Sequence, residues 1–192
     1  MRIRLTVSQR GLFRRDTAAT ISASAPIVID KHELHSAWPA YNQKDVRQAN
    51  KDGFTLIVER GNVCNGPGDR LQLHATIQCS KVPVVVRSFE MALRETAVFR
   101  AATAADGRTS NGPKIRSIFI GSEKVTVNLN IPATGSQSCD LGCLIPASHT
   151  STTVVTAVHI EVVYSAAVRA MFDDGRDLVI DNIPVMMSNW HR

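Results

Sequence analysis

What this sequence has little of narrows its chemistry first. Aromatic residues make up 5% of its 192 residues, too few to lay out a stacking platform for single-stranded nucleic acid. Its four cysteines, Cys64, Cys79, Cys139 and Cys143, are too sparse for a disulfide framework. A reducing, cytoplasmic setting is therefore expected. No apolar run is long enough to cross a bilayer as a helix, and the start, MRIRLTVSQRGLFRRD, has no uninterrupted apolar segment of the secretory kind. Convincing amphipathic helices are absent as well, and no internal repeat is visible.

Nucleophile and phosphate-loop motifs are missing too. Gly66-Pro67-Gly68-Asp69 has turn chemistry but lacks the Lys-Ser/Thr of a phosphate loop and precedes a strand pattern. His32-Glu33-Leu34-His35 places its histidines three apart, whereas a metalloprotease helix needs four. Cys139 and Cys143 are weak metal candidates, because a structural zinc would need two further ligands from Cys64, Cys79 or His149. Asp173, Asp174 and Asp177 lie in a tight turn and most simply keep it solvated. No enzyme, no cofactor and no metal are expected. A metal-dependent enzyme is the weakest of the readings.

The net charge of +5 is unevenly spread, with Arg2, Arg4, Arg10, Arg14 and Arg15 at the start and Asp173, Asp174, Asp177 and Asp181 near the end. Such a balance suits a solvated surface and equally admits an anionic partner. A binding module engaging nucleic acid or anionic lipid through that basic start is the alternative function. Nucleic acid is not the expected partner.

What the sequence has in abundance is alternation of period two, the mark of strands with one buried face. The longest run is 154–172, whose even positions, from Val158 through Ile160, Val162, Tyr164, Ala166, Val168 and Ala170 to Phe172, are expected to bury. Its odd positions His159, Glu161, Ser165 and Arg169 are expected outside. Leu71, Leu73, Ala75, Ile77 and Cys79 form the inward set of strand 70–79, and Phe89, Met91 and Leu93 that of strand 84–100. Further strands are expected at 2–8, 17–30, 54–59, 115–120, 125–131 and 178–187. Residues 101–114 and 132–150 read as loops. Residues 31–52 read as a polar linker holding at most a short helix near 43–51, with Trp38 and Tyr41 pinning it to a surface. Many strands, turn-rich loops and no helices indicate an all-β, antiparallel, immunoglobulin-like sandwich preceded by two short strands and a linker.

The order of features carries a family resemblance. A Gly-Pro-Gly-Asp turn (66–69) leads into the alternating strand 71–79, followed by VRSFEMALRETAVFR. Next come Val-x-Val-x-Leu-x-Ile-Pro at 125–132 and Pro-Ala-Ser at 146–148, then VHIEVVYSAAVRAMF and a closing Asn-Ile-Pro-Val at 182–185. Over residues 52–192 this resembles the C-terminal domain of the arrestin family, particularly the α-arrestin-like proteins of fungi. Residues 1–30 are similar to the end of an arrestin N-terminal domain, which makes 31–52 a hinge and 53–192 the sandwich.

The resemblance implies a non-enzymatic adaptor in protein trafficking, endocytosis or ubiquitin-dependent sorting, in a truncated form. Its partners would be cytoplasmic tails of membrane proteins or ubiquitin-ligase machinery, and its place the cytoplasm or the periphery of the plasma membrane and endosomes. The family's ligase-recruiting Pro-Pro-x-Tyr motif is not in this sequence. Contacts are expected from Arg94, His159, Glu161 and Arg169, with Arg100 on the same outward phase and Arg87 at a rim. An edge-strand homodimer is a further expectation, because leading strands at 2–8 and 17–30 would otherwise expose their edges.

Overall fold

A computed structural model describes residues 44–61, 64–100 and 112–188 in full and residues 2–8 and 18–24 as backbone strands. The chain divides into two compact units, 1–32 and 33–192. In the first, β1 (Arg2–Ser8) and β2 (Ala18–Ser24) form an antiparallel pair running from Arg2 opposite Ser24 to Ser8 opposite Ala18. The His32/His35 pair, Trp38 and Tyr41 lie outside the described residues.

The second unit is an all-β antiparallel sandwich, as the alternation indicates. One sheet has the order β10-β9-β6-β7 and the other β3-β4-β5-β8. The strands are β3 (Asp45–Lys51), β4 (Phe54–Arg60), β5 (Arg70–Cys79), β6 (Val84–Phe99), β7 (Lys114–Ile131), β8 (Ser136–Leu144), β9 (Ile160–Phe172) and β10 (Asp177–Val185). The core lies between the sheets, with Phe89, Leu56, Leu71, Ile77, Met91, Leu93 and Ile131 fully buried. In β5 every expected inward residue is buried and every neighbour is more exposed, because strict alternation leaves one phase only.

Four expectations are corrected by the strand pairing. The end of the expected linker is not loop or helix: residues 45–51 form β3, paired with β4 from Asp45–Arg60 to Lys51–Phe54. The two-residue connection Asp52-Gly53 has positive φ at both positions, 54° and 81°. This is the geometry of a tight hairpin turn, which Asp-Gly favours. Strands 115–120 and 125–131 are one strand, β7, because Gly121 and Ser122 stay in register with Leu93 and Ala92. The expected loop 132–150 contains β8, nine residues paired with β5. Its sequence SQSCDLGCL hides the strand, since its outer side bonds through Thr76–Ser138 (2.9 Å) and His74–Asp140 (2.7 Å).

The run 154–172 also breaks. Val154 exchanges hydrogen bonds of 2.9 and 2.8 Å with Val162, so residues 155–159 fold back and β9 begins only at Ile160. Val158 is 77% exposed and Ile160 44%, against their expected burial. From Tyr164 to Phe172 the even phase is buried as expected. Arg169 and His159 are exposed and Glu161 is half-buried.

The seam between the sheets at β7 and β8 is tight. A Cβ placed on Gly121 would lie 2.5 Å from Cys143 Sγ and 2.8 Å from the Leu144 carbonyl oxygen. One placed on Gly142 would strike only the guanidinium end of Arg70, which crosses the seam to Glu123 at 2.6 Å. Gly121→Ala is therefore expected to cost about 1–3 kcal/mol by overpacking against backbone. Gly142→Ala, which needs only an exposed arginine to swing, is expected to cost less than ~1 kcal/mol. Urea denaturation of the two variants checks this ordering.

Candidate functional site

Two β-bulges decide what the outer face of the β10-β9-β6-β7 sheet presents. In β6 the pairing with β7 and β9 slips between Val86 and Ser88, which moves the inward phase from Val84 and Val86 to Phe89, Met91 and Leu93. Arg87 is left exposed at that bulge and Ser88 is buried. A second slip, between Leu93 and Arg94 against β7, sets Arg94 opposite Phe119. Bulges of this kind re-aim side chains.

With this register, residues of one row face outward together. Ser122, Ala92 and Ala167 stand side by side on β7, β6 and β9. All three are small, so the row forms the floor of a trench running across the strands. At about 4.8 Å between strands it spans roughly 14 Å from β7 to β10. One wall carries Phe119, Arg94, Ser165 and Asp181, and the other Lys124, Glu90, Arg169 and Val179. Its volume is about 470 Å³, within the range of small-ligand pockets and enough for two or three side chains. Phe119 is 71% exposed, which leaves an aromatic ring standing at the rim.

The charges on the two walls are held differently. On the second wall Lys124 Nζ donates to Glu90 at 2.8 Å, and Arg169 reaches Asp177 at 2.7 Å and Glu90 at 3.9 Å. That wall is an interlaced pair network. On the first wall Arg94 Nη2 donates to Asn182 Oδ1 at 2.7 Å and to Ser165 Oγ at 3.4 Å. Asn182 sits at positive φ, 59°, in the β10 bulge that aims its amide at Arg94. Arg94 Nε is buried without a partner. Among the described residues the Arg94 guanidinium thus meets neutral acceptors and no carboxylate.

Of the expected contact residues, Arg94 and Arg169 lie on this trench. Glu161 lies three rows away, paired with the Arg100 guanidinium. His159 lies beyond it in the chain reversal, where its carbonyl accepts the Arg100 N–H at 2.8 Å. The floor residues and the rim residues Phe119 and Val179 escape a reading of the sequence. Their alignment depends on cross-strand register, which alternation within one strand does not carry.

Cys139 and Cys143 are both on β8, pointing inward against Ala75 and Leu71. Four residues along a strand separates them by about 13 Å, too far to share an ion. Burial is the larger cause holding both thiols above their usual pKa, reinforced by Asp140 beside Cys139 and Glu123 beside Cys143. Among the described residues no three His, Cys, Asp or Glu side chains converge as a metal site. His74 is exposed on β5, where it pairs with Asp140, and His159 is exposed in the chain reversal before β9.

Inside the sandwich, Glu95, Tyr164 and His149 form a compact polar cluster. Tyr164 donates its hydroxyl to Glu95 Oε2 at 2.8 Å, and His149 Nε2 lies 3.1 Å from both Tyr164 Oη and Glu95 Oε2. Desolvation, then the bond and charge of Glu95, push the Tyr164 phenol far above its ordinary pKa. The cluster ties β6 and β9 to the segment after β8. Each group is satisfied by the others, as a structural network requires.

No family model matches the chain, and no curated protein matches it. Among solved structures it is similar to the sporulation control protein Spo0M from Bacillus subtilis, at 16% identity and a TM-score of 0.49. That match covers 78% of this chain and 49% of the Spo0M chain, so this chain spans about half its length.

Proposed function

We propose that this chain is a non-catalytic, arrestin-like adaptor that binds short protein segments in the trench across its β10-β9-β6-β7 sheet. The trench carries the reading: an apolar, small-floored slot with an exposed aromatic at one end and an arginine facing neutral acceptors. Such a slot suits an apolar side chain next to a carboxylate, the carboxylate meeting Arg94. The order of sequence motifs shared with arrestin C-terminal domains supports the finer reading. On it, the bound segment is a cytoplasmic tail of a membrane protein presented for trafficking, endocytosis or ubiquitin-dependent sorting. Among the described residues no helix is long and apolar enough to cross a membrane.

The test is a fluorescence-polarisation titration with an array of tail peptides that place an acidic residue beside Leu, Ile or Phe. Ala167→Phe, which fills the floor with a residue strands accept, is expected to weaken binding at least tenfold while leaving the melting temperature nearly unchanged. Salt should weaken binding only modestly. A steep linear fall of log K with log salt toward polyanions or anionic vesicles would favour the basic binding module instead. Peptides binding Ala167→Phe as tightly as the wild type would remove the trench from the function.

A further inference from the structure

The first seven residues of β7 form an open edge. β7 ends its sheet, with β6 as its hydrogen-bonded neighbour. β8 stops at Leu144, whose carbonyl lies against Gly121, so within the sandwich no described strand other than β6 runs beside residues 114–120. On this edge Ile115 is 66% exposed and Phe119 71%. They are four residues apart on the same outward face, placed symmetrically about the exposed Ser117.

We propose that this edge pairs with the same edge of a second copy, antiparallel, about a two-fold axis through Ser117. Two strands related in this way face equal side-chain phases, so the axis must pass through a residue position and few registers are available. An axis at Ser117 sets each Ile115 opposite the partner copy's Phe119, an aromatic–β-branched pair of the favourable kind formed twice. It sets Lys114 against Ile120 and Arg116 against Ile118, so no like charges oppose.

The neighbouring registers fail on charge or on packing. An axis at Arg116 opposes the two Arg116 side chains, and one at Ile115 opposes Lys114 to Arg116. An axis at Ile118 leaves Phe119 facing Ser117, and one at Phe119 opposes Lys114 to Lys124. Like charges directly opposite destabilise a ladder. The edge is thus complementary to itself in one register, and the basic residues that would protect it exclude the others. The product is a continuous eight-stranded sheet carrying two copies of the trench.

Cross-linking reads the register directly. Residues opposite each other in an antiparallel pair have Cα atoms about 4.5–5.5 Å apart, within disulfide reach. Under oxidised glutathione, Ser117→Cys is expected to form a disulfide-linked dimer whose cross-linked peptide joins position 117 of one copy to position 117 of the other. In Ile115→Cys the introduced thiol lies about 13 Å from its own counterpart across that axis, so no peptide joining position 115 to itself is expected. By light scattering, the wild type should move from monomer toward dimer mass as concentration rises. Phe119→Lys should remain monomeric at the same concentrations, with circular dichroism confirming that it is folded.

Wild type that stays monomeric throughout, a Phe119→Lys protein that still dimerises, or linkage through position 115 rather than position 117 would each overturn the proposal. Monomeric wild type would leave the edge to a strand from another protein. Ala167→Phe lies off this edge, so failure of peptide binding and failure of self-pairing are read separately.

Discussion

Phe89→Ala is expected to cost about 3–5 kcal/mol, a large part of the stability of a domain this size. Phe89 is the largest fully buried side chain described. It stands on β6 between Val125 of β7 and Ala170 of β9, where the inward phase resumes after the first bulge. With a small alanine beside it on β9, deleting the ring leaves a void that the two strands cannot close without moving the bulge. Phe89→Leu keeps most of the volume and should cost less than half as much. Val179→Ala, on the exposed side of the neighbouring strand β10, should be near neutral. Chemical denaturation of the three variants checks the order, and a Phe89→Ala midpoint close to that of Val179→Ala would show that the core is not centred there.

The second large effect concerns the buried cluster and has a pH signature. Tyr164→Phe is expected to cost about 1–2 kcal/mol near neutral pH, since Glu95 loses a hydrogen bond but keeps His149. His149→Ala together with Tyr164→Phe would leave the Glu95 carboxylate, 7% exposed, without either partner. That double variant is expected to cost more than the sum of the single ones, because the second loss strands a buried charge.

The phenol also sets an alkaline limit. Its folded pKa is raised above the unfolded value near ~10, so the folded state holds a proton that the unfolded state releases. The resulting stabilisation is complete below about pH 10 and is lost as pH rises toward the folded value. The slope is at most about 1.4 kcal/mol per pH unit and less where solvent screens the site. Melting temperatures from about pH 8 to 11.5 should therefore fall more steeply for the wild type than for Tyr164→Phe, with arginine and lysine effects common to both. Parallel curves would mean that the phenol is not what titrates.

Much of the sandwich was legible because its strands are strict. In 70–79 every apolar residue occupies one phase, and a single phase admits a single burial pattern. The β3–β4 hairpin was missed, although Asp52-Gly53 before an alternating run is a two-residue turn signal. The polarity of DVRQANK masked it, as an edge strand with one solvated face permits. β8 was hidden for a related reason. Ser136, Ser138 and Asp140 are polar because β5 offers Gln78, Thr76 and His74 opposite them, a fact written in a distant segment of the chain. The run 154–172 misled because Val154, Val158 and Ile160 share an apolar phase while the chain reverses between Val154 and Val162. Alternation registers spacing and is blind to such a reversal.

The sequence by itself determined the all-β class, the inward phase of β5, the buried half of β9, and the outward placement of Arg94 and Arg169. These follow from local periodicity, since neighbouring residues on a strand must point to opposite faces. Only the tertiary structure decided that Ser122, Ala92 and Ala167 form one row, that Phe119 stands beside Arg94, and that residues 114–120 are left without a neighbour among the described strands beyond β6. Each depends on bulges and on where a partner strand ends, which are set by pairing between distant segments. The trench and the open edge are therefore properties of register, which no single strand encodes.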